Sequence, residues 1–384
     1  MQDKIYLDNA ATTFPKAPGV KEAMCEFLEN IGASAGRSGH SLSIQSGRIL
    51  FESRLLLARL FGLKDSKRIF FTLNATMAIN TLLFGFLKSG DVVVTSQLEH
   101  NAIKRPLNEL KKRRKIIIKE IPCDEFHRLD LSVANELLKD AKLLAIAHSN
   151  NVSGAVIPLE ALSGIAKKNG VKILLDAAQS AGCVDLSGIL ELVDFIALSA
   201  HKGLLAPMGV GALVVADSFE INQISPLVFG GTGSRSEEEI QPLFLPDKFE
   251  SGTQNMHGIA GLKAALEWIL QKGVLNIHKY ELNLRQQLLE GLRSVRNLKV
   301  YETFGDSNAN LSIDLLNYSL SNVARLLDGR GILVRVGLHC NPSSHRSLGS
   351  FMRGGTIRLS PGVFNTESQM EFVIKELRRL AKGR

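Results

Sequence analysis

The sequence predicts an α/β protein in which a large domain, built on a seven-stranded, mostly parallel sheet covered by helices, is joined to a smaller α+β domain. Three observations carry this. Seven short apolar runs lie across roughly 68–216, and continuous runs of that length mark strands buried on both faces. Stretches of helical spacing, such as 75–87 and 159–169, separate many of them, and strands alternating with helices build parallel sheets. The chain has 384 residues, more than one core usually serves, so two domains are expected.

In chain order, Ile5-Tyr6-Leu7 reads as a short strand. Asp8-Asn9-Ala10-Ala11-Thr12-Thr13 follows and is too polar and small to be core. Pro15 and Pro18 set up a helix over about 19–29. Gly32 to Gly39 is a glycine- and serine-rich loop containing Arg37, and 43–61 has helical spacing. The seven sheet strands are expected near 68–72, 92–94, 116–118, 143–147, 173–175, 195–198 and 212–215. The region 217–256, rich in Gly, Ser, Pro and Glu, breaks the rhythm and holds the turn Gly230-Gly231-Thr232-Gly233-Ser234. Helices over 258–270, 277–294, 320–329 and 366–380, with strands at 311–313, 332–334 and 356–359, form the smaller domain. The expected division is an N-terminal segment, 1–15, packing with the small domain, a large domain over 16–256, and the small domain over 257–384.

Bulk composition excludes several classes. Net charge is +8, from 46 Lys and Arg against 38 Asp and Glu, which is mild for this length. The run Lys111-Lys112-Arg113-Arg114-Lys115 carries no interleaved aromatics and no zinc-finger spacing, so it reads as a solvated face rather than a nucleic-acid surface. Four cysteines, at 25, 123, 183 and 340, are widely spaced without a Cys-x-x-Cys pair, which predicts neither a disulfide framework nor a metal site. Met1-Gln2-Asp3-Lys4 opens no signal peptide, and no apolar run reaches 18 residues, so a cytoplasmic protein without membrane spans is expected.

The residues that could carry chemistry cluster at strand ends. Lys202, in Ser199-Ala200-His201-Lys202-Gly203, stands just past a strand, where α/β proteins bind ligands. Its amine there could form a Schiff base with a carbonyl; alone it is a surface charge. Asp176 ends a strand and could keep a pyridinium nitrogen protonated, or simply cap the next turn. Asn74-Ala75-Thr76 opens a helix, a natural phosphate cradle or an ordinary cap. His100 follows the second sheet strand and could move protons or lie over a planar ring. Cys340 sits in a polar loop with His339 and His345, which could favour its thiolate. Cys123 and Cys183 read as inert core or near-core residues. Arg358 emerges from an apolar run and calls for a carboxylate, in a ligand or in an internal salt bridge.

Several ordered motifs together resemble a known family. They are Tyr6-Leu7-Asp8-Asn9-Ala10-Ala11-Thr12-Thr13, Asp176-Ala177-Ala178-Gln179-Ser180, Ser199-Ala200-His201-Lys202 and Arg358-Leu359-Ser360-Pro361. The chain resembles, over nearly its whole length, the fold-type-I pyridoxal-phosphate enzymes of aminotransferase class V, and within them the cysteine desulfurases. The resemblance implies pyridoxal 5'-phosphate joined to Lys202, with Asp176 at the ring nitrogen, Gln179 at the ring hydroxyl and His100 stacked on the ring. It implies phosphate contacts from Ala75, Thr76, Ser199 and His201, and from Thr232 of the other subunit of a homodimer. Asn151 would lie near cofactor and substrate, Arg358 would clamp the substrate carboxylate, and Cys340 would be the nucleophile.

Only 18 positions separate Cys340 from Arg358, which resembles the branch with a short cysteine loop. Met77 stands where an acidic residue is common, and Asn341 where alanine is common. The implied activity converts L-cysteine to L-alanine with an enzyme persulfide passed to an acceptor protein. Alternatives are a selenocysteine lyase acting on L-selenocysteine, another lyase or transaminase on the same cofactor, or a non-catalytic assembly protein.

Overall fold

The structure is a computed structural model describing residues 4–36, 39–235 and 237–383. Arg37 and the residues 1–3 read above lie outside them. The large sheet grows from alternating elements. They are α1 (Val20–Glu26) and α2 (Ser41–Phe61) after the short β1 (Ile5–Tyr6), then β2 (Ile69–Thr72), α3 (Ala75–Phe86), β3 (Val92–Ser96) and α4 (Asn101–Arg114). β4 (Ile117–Ile121), α5 (Leu131–Leu137), β5 (Leu143–Ala147), α6 (Leu159–Lys168), β6 (Lys172–Asp176), β7 (Phe195–Ser199) and β8 (Gly211–Val215) complete it.

The sheet has seven strands in the order β2-β8-β7-β6-β5-β3-β4. Pairings from β4 to β7 are parallel, and β8 runs antiparallel to both neighbours. Every residue of β5, β7 and β8 is buried, which is why these strands are continuous apolar runs without alternation. Alternate residues feed two cores: Ile69 and Phe71 of β2 join the core with α2 and α6, and Phe70 joins the one with α3 and α4. The edge strand β4 is different. Ile117 is half exposed and Lys119 and Glu120 follow, charges that discourage edge-to-edge pairing.

The rest comprises α7 (Met256–Lys272), α8 (Val274–Leu292), β9 (Leu298–Tyr301), β10 (Leu311–Leu315), α9 (Leu320–Asp328), β11 (Ile332–Leu333), β12 (Arg335–Gly337), α10 (Pro342–Ser347), β13 (Thr356–Leu359) and α11 (Glu367–Ala381). A four-stranded antiparallel sheet, β12-β13-β10-β9, is backed by Leu284, Leu288 and Leu292 of α8 and by Met370, Val373 and Leu377 of α11. β1 pairs in parallel with β11, and Ile5 and Leu7 are buried in this second core. The expected division at 256/257 meets the first residue of α7, whose buried face belongs to the large-sheet core. The change of core falls later, inside α8, between Ile277 and Leu284.

The sequence reading names none of α4, α5, β9, β12 and α10. The basic run 111–115 is the last turn of α4 and its C-cap, where cations complement the helix dipole. Arg114 Nη1 donates to the carbonyls of Phe84 and Leu87. β9 alternates too weakly to stand out. α10 lies in what reads as a polar loop; Asn341 caps it and Pro342 starts it, the favoured order for a helix start. No helix among the described residues is long and apolar enough to cross a membrane.

Candidate active site

The C-terminal edge of the large sheet opens into a cavity of about 260 Å³. It lies where the strand order reverses, between β3 and β5, the place where open α/β sheets bind ligands. Seven of the expected residues arrive there on a strand end or on the turn beyond it. His100 follows β3, Asn151 follows β5, Asp176 closes β6 with Gln179 after it, and Ser199 closes β7 with His201 and Lys202 after it. Ala75 and Thr76 line the same cavity from the start of α3.

That helix start is built for an anion. Asn74, not Thr76, is the cap: its Oδ1 accepts the Met77 N–H at 2.9 Å, and the Thr76 side chain faces the cavity and solvent. Ser199 Oγ accepts the Ala75 N–H at 2.9 Å. Gly211 lets the helix start sit against the sheet, since a Cβ there would stand 2.6 Å from Asn74 backbone atoms. Beside this positive helix end, His201 leaves a buried Nδ1 with no partner among the described residues.

Asp176 stands apart from that corner. It is buried, its Oδ1 accepts the Ala178 N–H at 2.9 Å, and it makes no ion pair among the described residues. Burial pushes its carboxyl up, opposed by the Ala178 bond and the charge of Lys202. It therefore does cap a turn, as the plain reading had it, and still faces the cavity. Burial draws the Lys202 amine down to about 8, with Asp176 pulling the other way, which suits an amine that must shed its proton. The segment that looked merely polar and small grips this lysine turn. Thr13 Oγ1 donates to the Lys202 carbonyl at 2.5 Å, and the Thr13 N–H and Thr12 Oγ1 donate to the His201 carbonyl at 2.9 and 3.1 Å.

His100 Nδ1 accepts the Ala102 N–H at 3.0 Å, capping α4. This bond puts the ring proton on Nε2. Burial, helped by the charges of Lys202 and Arg335, pushes the imidazole down to about 4, so the ring is neutral at physiological pH. Arg358, 1% exposed on β13, donates from Nη1 to the Asn151 carbonyl at 2.9 Å and from Nη2 to Asp8 Oδ1 at 2.8 Å. The internal salt bridge weighed for Arg358 exists, and its Nε has no partner among the described residues.

Cys340 is exposed and belongs to the small-domain side of the site. Its carbonyl accepts the Asn101 N–H at 3.0 Å, and the His339 carbonyl accepts from Asn151 Nδ2 at 2.7 Å. The loop therefore hangs from the residues that flank the cavity. His339 and Cys340 both have positive φ, 49° and 59°. For non-glycine residues this costs roughly 1–3 kcal/mol each and persists only where surrounding bonds enforce it.

One expectation about this loop is corrected. His339 and His345 do not supply charge to the thiol. Both rings are buried and bonded elsewhere, His339 Nε2 to Thr356 Oγ1 and His345 Nδ1 to Ser350 Oγ. Burial holds them at about 2 and about 4, so both are neutral. The group at the sulfur is Arg335, whose Nη2 stands 3.8 Å from Sγ. The spacing Arg335-Val336-Gly337-Leu338-His339-Cys340 held that signal, because a hairpin-like return brings β12 back on the loop. Arg335→Gln is expected to slow iodoacetamide alkylation of Cys340 about three- to tenfold, because the cation that stands at the sulfur is lost. His345→Gln should leave that alkylation rate within about twofold; an equal slowing in the histidine variant would contradict the assignment.

Thr232 is not at this cavity. It lines a separate one of about 310 Å³ with Arg54 and Glu250. Cys123 and Cys183 are pushed up mainly by burial, and their sulfurs are engaged by Ser347 and Glu281 respectively.

Comparison with known proteins decides the family. The aminotransferase class-V profile matches residues 5–373. The chain belongs to the aminotransferase class-V family. Among curated class-V relatives, a probable cysteine desulfurase of Synechocystis sp. is 32% identical over 385 residues, covering 97% of this chain and 90% of that protein. The cysteine desulfurase of Escherichia coli O157:H7 is 31% identical over 388 residues, covering 98% and 93%. Among solved structures, the apo cysteine desulfurase from Thermococcus onnurineus NA1 superposes with a TM-score of 0.92 at 31% identity, covering 99% of this chain and 95% of that one. The cavity's donor set suits pyridoxal 5'-phosphate, the class-V cofactor. A helix end and the unpartnered His201 nitrogen meet an anion, a lysine of lowered pKa meets an aldehyde, and a buried carboxylate meets a cationic ring nitrogen.

Proposed function

We propose that the chain is a pyridoxal-phosphate-dependent cysteine desulfurase, converting L-cysteine to L-alanine and leaving the sulfur as a persulfide on Cys340. The observation that carries this is the exposed thiol hung by Asn101 and Asn151 at the rim of the lysine cavity. A transaminase has no work for a thiol there. Pyridoxal 5'-phosphate supplies an electron sink for the charge left when the substrate Cα loses its proton.

The chain's own residues do the rest. The α3 start with Ala75 and Thr76, together with Ser199 and His201, would hold the phosphate. Asp176 would keep the ring nitrogen protonated, Gln179 would meet the ring hydroxyl and the neutral His100 ring would cover the cofactor. Arg358 receives the substrate carboxylate, using the donor at Nε that has no partner, and Asn151 borders both. The Lys202 amine removes the Cα proton. The Cys340 thiolate, beside the Arg335 cation, attacks the substrate sulfur. An S–S bond forms as the Cβ–S bond breaks, Cβ keeps the bonding pair, and protonation yields alanine.

Product analysis tests this. L-cysteine with a thiol acceptor should give alanine in step with released sulfide. Pyruvate and ammonia as the main products would place the enzyme among β-eliminating lyases. Running L-selenocysteine in parallel measures how far the chain also acts as a selenocysteine lyase.

The working unit in this reading is a homodimer, with Thr232 reaching the phosphate in the other subunit. Phe229, Ile240 and Leu243, in the same segment, are 68, 74 and 68% exposed, and exposed apolar side chains concentrated in one segment favour a subunit contact. Sedimentation of the holoprotein at low micromolar concentration should give a dimer; a fully active monomer would overturn this part. An acceptor protein would then collect sulfur from Cys340 in the cytoplasm, for iron–sulfur cluster assembly or another sulfur-using pathway.

A further inference from the structure

Asn341, the residue after Cys340, is buried and bonded in three directions. Its Nδ2 donates to the Leu98 carbonyl at 2.9 Å and to Asn151 Oδ1 at 3.0 Å, and its Oδ1 accepts the Ser344 N–H at 3.2 Å. The last bond sets the polarity of the whole group. A backbone N–H can only donate, so the Asn341 oxygen must face α10 and its amide nitrogen must face Asn151. Asn151 then has to present its oxygen to Asn341 and its nitrogen to the His339 carbonyl, where it donates at 2.7 Å.

The two amides thus close a ring around the nucleophile. Asn341 lies on its C-terminal side and the His339 carbonyl on its N-terminal side, and both end on one cavity side chain. The Leu98 carbonyl, two residues before His100, is shared with Asn150 Nδ2 at 2.9 Å. Two consecutive left-handed residues, His339 and Cys340, sit inside that ring, a backbone that needs bonds on both sides to persist. An alanine at this position would cap no helix and hold no amide.

We infer that Asn341 is a positioning residue that fixes the Cys340 thiol and the amide orientation of Asn151 as one unit. The consequence is a nucleophile held at the cavity rim, with Asn151 locked so that its remaining N–H and lone pair have set directions toward ligand. This inference rests on the desulfurase reading and deepens it. Loop and cavity are coupled through side-chain hydrogen bonds that a substitution of one residue removes.

Asn341→Ser separates positioning from capping. Serine is as good a helix cap as asparagine, but it is too short to reach Leu98 and Asn151 together. Asn341→Ala removes both roles without adding charge. In the holoenzyme, Asn341→Ser and Asn341→Ala should both lower the single-turnover rate of persulfide formation on Cys340 by about ten- to a hundredfold, the scale of a misplaced reacting group. Amide hydrogen exchange in 337–342 should speed up about tenfold or more in both. A helix cap alone would let serine recover the wild-type rate and exchange, and that recovery would overturn the inference. Unchanged rates in the alanine variant would overturn it as well. The wild-type protein, run alongside, keeps the two readings apart: no sulfur adduct on its Cys340 counts against the desulfurase reading, whereas an adduct in wild type with an equal rate in Asn341→Ser counts against Asn341 alone.

Discussion

Cys340→Ala is expected to lose L-cysteine desulfuration by about 10³-fold or more, the scale at which removing a nucleophile acts, while still binding L-cysteine. Lys202, Asp176 and Arg358 are untouched by the change, so the cofactor absorbance should still respond when L-cysteine is added. None of those three groups can carry a second sulfur; a thiolate can. Turnover of L-selenocysteine should fall much less, because the carbon–selenium bond breaks without a thiol to take the atom. Neither Cys123 nor Cys183, both half-buried, is a substitute. Burial keeps the Cys123 and Cys183 thiols protonated, and a thiol is a poor nucleophile. Cys25 is exposed but lies on α1, away from the cavity lining. Alanine variants of these three should keep persulfide formation within about twofold. An undiminished rate of alanine formation in Cys340→Ala would remove the nucleophile from the account.

Lys202→Ala is expected to be more damaging, because it removes the proton acceptor for both substrates. General-base removal costs up to about 10⁴-fold, and here the loss should be equal for L-cysteine and L-selenocysteine. That equality is the contrast with Cys340→Ala. The phosphate corner and Asp176 do not depend on the lysine side chain, so the variant should still retain cofactor without a covalent bond to the protein. Borohydride treatment of the wild-type holoprotein should leave a reduced pyridoxyl group on the Lys202 peptide. A label on another lysine would move the assignment.

Much of this was legible because burial writes plainly in sequence. β5, β7 and β8 are buried on every residue, so each appears as an unbroken apolar run. The cavity residues were legible for a related reason: a charged residue at the end of such a run, as at Asp176, or on the turn just beyond it, as at Lys202, is not needed to fill the core. The sequence said less where the determinant is a long-range bond. α10 hides in a serine-rich stretch because its start depends on Asn341, whose other contacts come from Leu98 and Asn151. His339 and His345 look like neighbours of Cys340 in sequence. The His339 ring instead meets Thr356 and the His345 ring Ser350, and Arg335, five residues earlier, returns to the sulfur on β12. The motif Asp8 to Thr13 gave no structural hint of its task, since its partners, Arg358, His201 and Lys202, lie far along the chain.

Mass spectrometry of the holoprotein after brief exposure to L-cysteine tests the central claim most directly. The account predicts one added sulfur, removable by reductant, on the peptide containing Cys340. An adduct on the peptides of Cys25, Cys123 or Cys183, or alanine formed with no adduct on any cysteine, would contradict it.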